Sequence, residues 1–161
     1  MRNEQEAELA LDKYADTVRR ICFINLKNAH DTEDVFQDVF LKYILRDDIF
    51  ESDAHEKAWL IRVAINACKD TLKSFFRKNI VSFEELLIEP SFIEDGNREV
   101  MDAVIRLPEK YRIVVYLFYF EGYSAIEIAA ILKKNENTIY TWLSRARARF
   151  KADLGGESFE E

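Results

Sequence analysis

The stretch NENTIYTWLSRARARFK, residues 135–151, decides the fold of the C-terminal part of the chain. At about 100° per residue, Ile139, Leu143, Ala146 and Phe150 fall on one stripe and must face a core. The opposite side of this helix is polar and basic. It carries Asn137, Tyr140, Thr141, Ser144, Arg145, Ala148 and Lys151. The pattern predicts an amphipathic helix that exposes a basic face.

A second short helix precedes this one. Ser124 and Glu127 have the S-x-x-E spacing of a capping box, which predicts a helix start. We expect its apolar face to consist of Ile126, Ile128, Ala129 and Leu132. Lys133 and Lys134 break the apolar pattern, and Asn135 is a candidate N-cap for the next helix. The arrangement is typical of a helix-turn-helix, although a helical hairpin with a solvated basic face has the same pattern.

The rest of the chain favours an all-α protein. Its 161 residues are 48% hydrophobic, enough for a core, and 4 Gly and 2 Pro leave little room for the turns of an all-β fold. The predicted helices are at about 5–28, 32–46, 55–77, 97–106, 109–120, 124–132 and 136–152. No apolar run approaches the ~20 residues that span a bilayer. The charged N-terminus lacks the apolar segment of a signal peptide. We therefore expect a cytoplasmic protein without membrane insertion.

Charge is segregated along this chain, whose formal net charge is -7. Residues 31–56 carry nine acids and two bases, whereas residues 57–79 carry six bases and one acid. Residues 80–99 are acidic again, and residues 133–151 carry six bases and one acid. This segregation favours a protein that uses two positive surfaces together and binds a different partner through its acidic segments.

These patterns predict two small helical domains joined by an acidic linker. Residues 79–96, NIVSFEELLIEPSFIEDG, contain a Pro and a Gly among many acids and are the predicted linker. The predicted domains are 1–78 and 97–155, followed by an acidic tail at 156–161.

Nothing in the sequence predicts catalysis, a cofactor or a metal site. P-loop, GxSxG and GxGxxG motifs are absent, and so are CxxC and HExxH spacings. Cys22 and Cys68 are far apart in sequence within apolar helical patterns, and we expect buried, reduced thiols.

The predicted helix at 55–77 has a second basic face. Its inner face is predicted to be Ala64, Ala67, Cys68, Thr71, Leu72 and Phe75. Arg62, Asn66, Lys69 and Lys73 line the outer face, with Trp59 at its edge. Such a row suits single-stranded or distorted nucleic acid, on whose bases a ring can stack. A solvated face with Trp59 in the core is the open alternative.

The predicted helix at 32–46 has an acidic outer face. Its inner face is predicted to be Val35, Phe36, Val39, Phe40 and Tyr43. Outside lie Asp34, Gln37, Asp38, Leu41 and Leu45. Carboxylates beside exposed leucines are typical of a protein-binding face, and a solvated face with stray leucines is the alternative.

Four stretches of the chain, in order, resemble the extracytoplasmic-function (ECF) sigma factors of bacterial RNA polymerase. They are DTEDVFQDVFLKYI, AWLIRVAINACKDTLKS, LPEKYRIVVYLFYFEGYSAIEIAAIL and NTIYTWLSRARARF. The resemblance implies that the first domain, sigma region 2, binds the clamp helices of core polymerase and opens the minus-ten promoter element. It implies that the second domain, region 4, binds the polymerase flap and contacts the minus-thirty-five element.

The resemblance also implies roles for single residues. Core polymerase binding falls on Asp34, Gln37, Asp38 and Leu41. Minus-ten DNA binding falls on Trp59, Arg62, Asn66, Lys69 and Lys73, with the loop 46–56 selecting a flipped base. Minus-thirty-five binding falls on Tyr140, Thr141, Ser144, Arg145 and Arg147, with Asn137 on the same face. The linker matches the segment that threads the RNA exit path.

The partners implied are core RNA polymerase, promoter DNA and, as a further candidate, an anti-sigma factor. The chain departs from the family at Tyr140 and Trp142, where many relatives are basic, and at Lys133 and Lys134 in the turn. The loop DDIFESDAHE is unusually acidic for a DNA neighbour, so we expect it either to repel DNA or to contact another partner.

Two alternatives remain open at this point. A dimeric helix-turn-helix regulator that acts without polymerase leaves residues 31–77 unexplained. A sigma-like interaction protein without promoter activity is disfavoured by the basic row at 62–73. Within the sigma hypothesis, residues two apart on a helix lie about 200° apart. We therefore expect Arg145 to contact bases, and Arg147 and Arg149 to hold phosphates.

Overall fold

Every regular element that the structure describes is a helix, which confirms the all-α prediction. The computed structural model describes the backbone of residues 1–77 and 98–153 and the side chains of residues 1–74 and 99–152. The chain divides into two compact units, and these two ranges are their described parts. The predicted linker, the acidic tail and the side chain of Phe75 lie outside the described residues. None of the described helices combines the length and apolar character needed to cross a membrane.

Among its described residues, the first unit contains three helices that pack against one another. They are α1 (Glu4–Leu26), α2 (Ala29–Leu45) and α3 (Asp53–Arg77). Helix α2 begins three residues before the predicted position 32, because the Asn28 side chain caps it and accepts a hydrogen bond from the Asp31 amide at 2.9 Å. Helix α1 ends where Lys27 adopts the left-handed conformation, with φ 61°.

The core of the first unit confirms the predicted inner face of α2 and part of that of α3. The buried side chains of α2 include Val35, Phe36, Val39, Phe40 and Tyr43, all of which were predicted. On α3, Ala64, Ala67 and Cys68 are buried, whereas Thr71 and Leu72 are half-buried. Cys22 and Cys68 are both buried free thiols. They meet in this core, where a hydrogen bond to Cys68, followed by burial, raises the pKa of Cys22.

The second unit contains four helices among the described residues. They are α4 (Arg98–Arg106), α5 (Glu109–Val115), α6 (Ala125–Leu132) and α7 (Glu136–Asp153). Helix α5 continues into a π-helical segment, Tyr116–Phe120, in which the Glu121 amide donates to the Tyr116 carbonyl at 3.3 Å. The prediction of one regular helix over 109–120 is therefore wrong in its last five residues. The apolar run there has no period that distinguishes the two helix types, and the rings of Tyr116 and Phe120 stack across the wide turn.

The core of the second unit joins α4, α5 and α7. Its members are Ala103, Val104, Leu107, Tyr111, Val115, Ala146 and Phe150. The stripe predicted for α7 is confirmed, since Ile139, Leu143, Ala146 and Phe150 are all buried.

Helix α6 corrects one expectation about the second core. The side chain of Ile126 is 57% exposed, so the prediction that it faces the core is wrong. Ala125, Ile128, Ala129 and Ile131 face inward instead. Ile126 lies two residues before Ile128, a rotation of about 200° on a helix, so the two side chains cannot share a face.

Candidate nucleic-acid and protein-binding surfaces

Helices α6 and α7 form the predicted helix-turn-helix. The capping box is complete, because the Glu127 amide donates to Ser124 Oγ at 3.1 Å and the Ser124 amide donates to Glu127 Oε1 at 2.9 Å. Lys133 ends α6 in the left-handed conformation, with φ 56°. Asn135 Oδ1 then accepts from the Thr138 amide at 2.9 Å and starts α7. Both predicted caps are confirmed, and the left-handed Lys133 together with the Asn135 cap fixes the short turn between the helices.

The α7 outer face is the surface formed by Asn137, Tyr140, Thr141, Ser144 and Arg145, and every one of these side chains is exposed. The Tyr140 ring is 53% exposed. Small hydroxyl side chains lie beside a guanidinium and a phenol on one helix side. Such a surface can enter a major groove, because short side chains allow close approach and arginine donates two hydrogen bonds to guanine.

The three alternate arginines of α7 have different surroundings. Arg145 is exposed on the α7 outer face. Arg147 is half-buried, and its Nε donates to the Tyr119 hydroxyl at 2.9 Å. The Arg149 guanidinium lies 5.7 Å from the centre of the Tyr111 ring. The structure therefore ties Arg147 to the π-helical segment, a contact between residues far apart in sequence that no local pattern predicts.

The α3 outer face is the second basic surface. Asn66, Lys69 and Lys73 are exposed, and Arg62 is half-buried. These four residues occupy one side of α3, as the i, i+4, i+7, i+11 spacing predicts. The structure brings this row together, and it continues towards Trp59 in the N-terminal half of the helix.

Trp59 matches neither sequence alternative fully. It is half-buried, and its ring centre lies 5.7 Å from that of Phe50 and 6.3 Å from that of Tyr43. The Arg46 guanidinium lies 5.0 Å from the Trp59 ring. The indole is therefore held by neighbouring rings while part of its surface remains accessible, an arrangement suited to stacking on an unpaired base.

Trp59 belongs to a ring cluster, which we define as Tyr43, Phe50, His55 and Trp59. The rings of Tyr43 and Phe50 are parallel within 4° at a centroid distance of 6.2 Å, and His55 meets the edge of Phe50 at 5.3 Å. Tyr43 Oη donates to Glu56 Oε2 at 2.7 Å. Burial, followed by this hydrogen bond, raises the pKa of Tyr43. No local sequence pattern predicts this cluster, because its members come from α2, a loop and α3.

The loop between α2 and α3 is anchored by the ring cluster and by arginines. Arg46 pairs with the Asp48 carboxylate, and the hydrogen bonds of this pair lower the pKa of Asp48. The Arg46 guanidinium also lies 4.4 Å from the Phe50 ring. Asp47 pairs with the amino group of Met1. The acidic character of the loop is therefore partly neutralised by contacts within the first unit. Ile49, at the loop tip, is 89% exposed.

The α2 outer face consists of Asp34, Gln37, Asp38 and Leu41, all exposed. Leu41 is 54% exposed and its neighbour Leu45 is 58% exposed, so two large apolar side chains face solvent beside carboxylates. The structure thus brings together every residue that was predicted for this surface. An apolar centre with flanking charges is typical of a protein-binding face.

Metal binding finds no support in the part of the chain that the structure describes. Residues 1–77 and 98–153 contain no group of three or more His, Cys, Asp or Glu side chains that is arranged to hold a metal ion.

Comparison with known families matches two models to this chain. Residues 10–77 match the Sigma-70 region 2 family, and residues 97–150 match the Sigma-70 region 4 family. Each matched range covers most of one described unit, and the two ranges contain all three outer faces.

Individual relatives agree with these matches. The ECF RNA polymerase sigma factor SigW of Bacillus subtilis is 26% identical, with 89% of this chain and 86% of the relative covered. The ECF sigma factor SigM of Mycobacterium tuberculosis is 28% identical over 92% of this chain and 82% of the relative.

A solved structure shows the likeness of fold. It is the sigma factor RpoE in complex with the anti-sigma factor NepR from Bartonella quintana, with a TM-score of 0.79 and 24% identity. The alignment covers 94% of this chain and 98% of that one. The two Sigma-70 matches together cover most of the chain, and relatives that align over most of both chains are ECF sigma factors, so the chain belongs to the extracytoplasmic-function family of RNA polymerase sigma factors.

Proposed function

We propose that the chain directs core RNA polymerase to specific promoters and promotes DNA opening for the initiation of transcription. The observation that carries this proposal is the pair of basic outer faces, one on α3 in region 2 and one on α7 in region 4. We assign region 2 to residues 1–78, the linker to 79–96, region 4 to 97–155 and an acidic tail to 156–161. In this function the chain acts as a polymerase subunit in the cytoplasm and is not itself an enzyme.

Core polymerase binds to the α2 outer face in this proposal. Leu41 supplies the apolar centre, and Asp34 and Asp38 supply charges that orient a basic partner helix. An acidic surface of this kind disfavours DNA, because phosphates repel carboxylates. This difference in sign separates the protein-binding side of region 2 from its DNA-binding side.

Region 2 opens the minus-ten element with the α3 outer face. Arg62, Lys69 and Lys73 hold phosphates of the backbone, and Asn66 offers an amide for hydrogen bonds with a base. The half-buried Trp59 has one accessible surface on which an unpaired base stacks. The adjacent loop 46–52, with the first turn of α3 that follows it, selects a base that has left the stack.

Region 4 contacts the minus-thirty-five element with the α7 outer face. Thr141, Ser144 and Arg145 approach base edges in the major groove, with Asn137 and Tyr140 beside them. Arg147, oriented by Tyr119, lies at the flank of this face and contacts the phosphate backbone.

The acidic net charge agrees with a protein that binds DNA as part of a larger complex. Because polymerase supplies many phosphate contacts, the free chain does not need a positive net charge. An anti-sigma factor is a further candidate partner, since the solved relative RpoE is bound to the anti-sigma factor NepR.

The test is transcription and DNA opening with purified core polymerase. Run-off transcripts from a promoter library report promoter selection, and permanganate reactivity of thymines reports opening. We expect Trp59→Ala and Asn66→Ala to form closed complexes but to open them poorly. Asp70→Glu, which keeps the charge at an exposed position of the same helix, is the matched control.

The outcomes separate the proposal from its competitors. A regulator that acts without polymerase would bind its operator tightly as the free protein and would yield no promoter-specific transcripts. If Trp59→Ala and Asn66→Ala open DNA as well as the parent, α3 does not have the minus-ten role.

A further inference from the structure

The chain segment before α1 is attached to the loop that follows α2. The Arg2 amide donates to the Ile44 carbonyl at 2.8 Å. The Arg2 side chain donates from Nε to the Tyr43 carbonyl at 3.1 Å and from Nη2 to the Asp48 carbonyl at 2.8 Å. These three bonds connect residue 2 to the end of α2 and to the middle of the loop.

The Arg2 guanidinium also contacts the ring cluster. Its central carbon lies 4.5 Å from the centre of the Tyr43 ring and 5.0 Å from that of the Phe50 ring. Cation–π contacts of this kind stabilise most where water is excluded, and the Arg2 side chain is only 11% exposed. One side chain therefore joins two backbone carbonyls and two aromatic rings.

A planar guanidinium is needed for this set of contacts. Arginine presents several donors in a rigid fork and stacks on aromatic rings, whereas lysine is a point charge on a flexible stem. A lysine at position 2 would keep the charge, but it would not hold both carbonyls in the geometry that stacks against the rings.

The contacts of Arg2 determine where the loop residues lie. Phe50 is the loop residue that packs on Trp59, and Ile49, next to it, is 89% exposed. Without Arg2, the Asp48 carbonyl loses its hydrogen bond to the segment before α1, and the Phe50 ring loses a cationic neighbour. The loop backbone would then sample more conformations, because residues 46–50 lie outside the helices.

We propose that Arg2 is a positioning residue that fixes the loop 46–52 and thereby sets the base preference of this protein at the minus-ten element. The inference rests on the proposed function, which gives that loop its contact with a flipped base. Arg2 itself need not touch DNA. It also lies before residue 10, where the match to the region 2 family begins.

The test uses holoenzyme with the full chain and a promoter library randomised at the minus-ten element. We expect Arg2→Ala to reduce discrimination between the best and worst base at the selected position by about five- to tenfold, part of the discrimination that one base contact supplies. Arg2→Lys should behave like Arg2→Ala. Preference at the minus-thirty-five element and affinity for core polymerase should stay as in the parent.

The matched control is a variant that removes another cation from the first unit. Lys13 on α1 pairs with Asp53 at 3.5 Å and does not bond the loop carbonyls. Lys13→Ala should leave base preference unchanged. Hydrogen exchange of the free proteins supplies a second readout, in which Arg2→Ala should accelerate exchange at residues 46–52 and leave residues 98–153 unaffected.

The outcomes distinguish positioning from other roles. If Arg2→Ala weakens all promoter sequences equally and lowers the salt dependence of binding while Arg2→Lys restores both, Arg2 is a phosphate contact and the inference is wrong. Unchanged minus-ten preference in Arg2→Ala also overturns it, whatever the exchange data show. If the parent holoenzyme itself has no minus-ten preference, the proposed function fails first and the inference fails with it.

Discussion

The α3 outer face and the α7 outer face are basic surfaces, each on its own helix, yet they are built in different ways. The α7 outer face depends on local signals: the Ser124 capping box, the Asn135 cap and a buried stripe at helical spacing. The α3 outer face depends on distant parts of the chain at its N-terminal end. There Trp59 contacts Phe50 from the loop and Tyr43 from α2, and the loop in turn contacts Arg2.

This difference has a consequence for function. A helix-turn-helix with local caps presents a rigid surface to double-stranded DNA, whose shape is already fixed. A ring cluster beside a loop instead presents a partly exposed indole and an exposed loop tip, which suit a base that has left the stack. The two units therefore match the two tasks that the proposed function gives them.

We expect the largest effect from a substitution in the core of the second unit, on which the position of α7 depends. Phe150 is completely buried, and Phe150→Ala should lower the free energy of unfolding of region 4 by about 3–5 kcal/mol, because it leaves a cavity among α4, α5 and α7. Hydrogen exchange should accelerate at residues 98–153 and stay unchanged at residues 1–77. Tyr140→Ala, at an exposed position of the same helix, should change stability by no more than about 0.5 kcal/mol. Equal effects of the two variants would contradict the packing.

The next effect concerns the acidic side of region 2. Leu41→Asp and Asp38→Arg should each weaken association with core polymerase at least about tenfold, or 1.4 kcal/mol, because they remove the apolar centre or reverse a charge. Pull-down or a fluorescence titration with core enzyme measures this. Leu9→Asp is the control, since Leu9 is 56% exposed on α1 and Leu41 is 54% exposed on α2. If Leu9→Asp is as damaging as Leu41→Asp, binding is not confined to the α2 outer face.

A smaller effect separates two arginines of α7. Arg145→Ala should cost about 1–3 kcal/mol at one minus-thirty-five position and relax base preference there. Arg147→Ala should weaken all sequences alike and reduce the salt slope by about one. Holoenzyme on a library randomised at the minus-thirty-five element, at several salt concentrations, measures both.

Tyr119 sharpens this comparison of arginines. Tyr119→Phe removes only the hydroxyl that accepts from Arg147 Nε. Like Arg147→Ala, it should lower DNA affinity for all promoter sequences alike, but by less. The positive charge of Arg147 remains, and only the hydrogen bond that orients its side chain is lost. A change of base preference in Tyr119→Phe would show that Arg147 contacts bases.

The smallest effect compares matched positions in the two units. Lys27 and Lys133 each end a helix in the left-handed conformation, with φ 61° and 56°. Lys27→Gly and Lys133→Gly should each stabilise the protein by up to about 1 kcal/mol, since glycine adopts this conformation without strain but is more flexible when unfolded. Chemical denaturation measures the change. If Lys133→Gly destabilises the protein and Lys27→Gly does not, the Lys133 side chain stabilises the turn between α6 and α7.

Much of the fold could be predicted from the sequence, because it follows from helical periodicity and capping. The stripe of α7, the inner face of α2 and the caps Ser124 and Asn135 required only local spacing, and all of them are confirmed. The exposure of the α2 and α7 outer faces follows from the same periodicity. Ile126 is the exception, because its hydrophobicity predicts burial whereas its angular position on α6 leaves it exposed.

The sequence by itself determined which helices form, which sides they bury and where positive and negative charge lies, because those properties depend on neighbours within about one or two turns. Only the tertiary structure decided that Arg2 reaches the loop after α2, that Trp59 is half-buried against Phe50, and that Arg147 is held by Tyr119. Each of these contacts joins residues that are separated in sequence and have no shared period. Their geometry depends on how whole helices pack, so it appears only when the chain is folded.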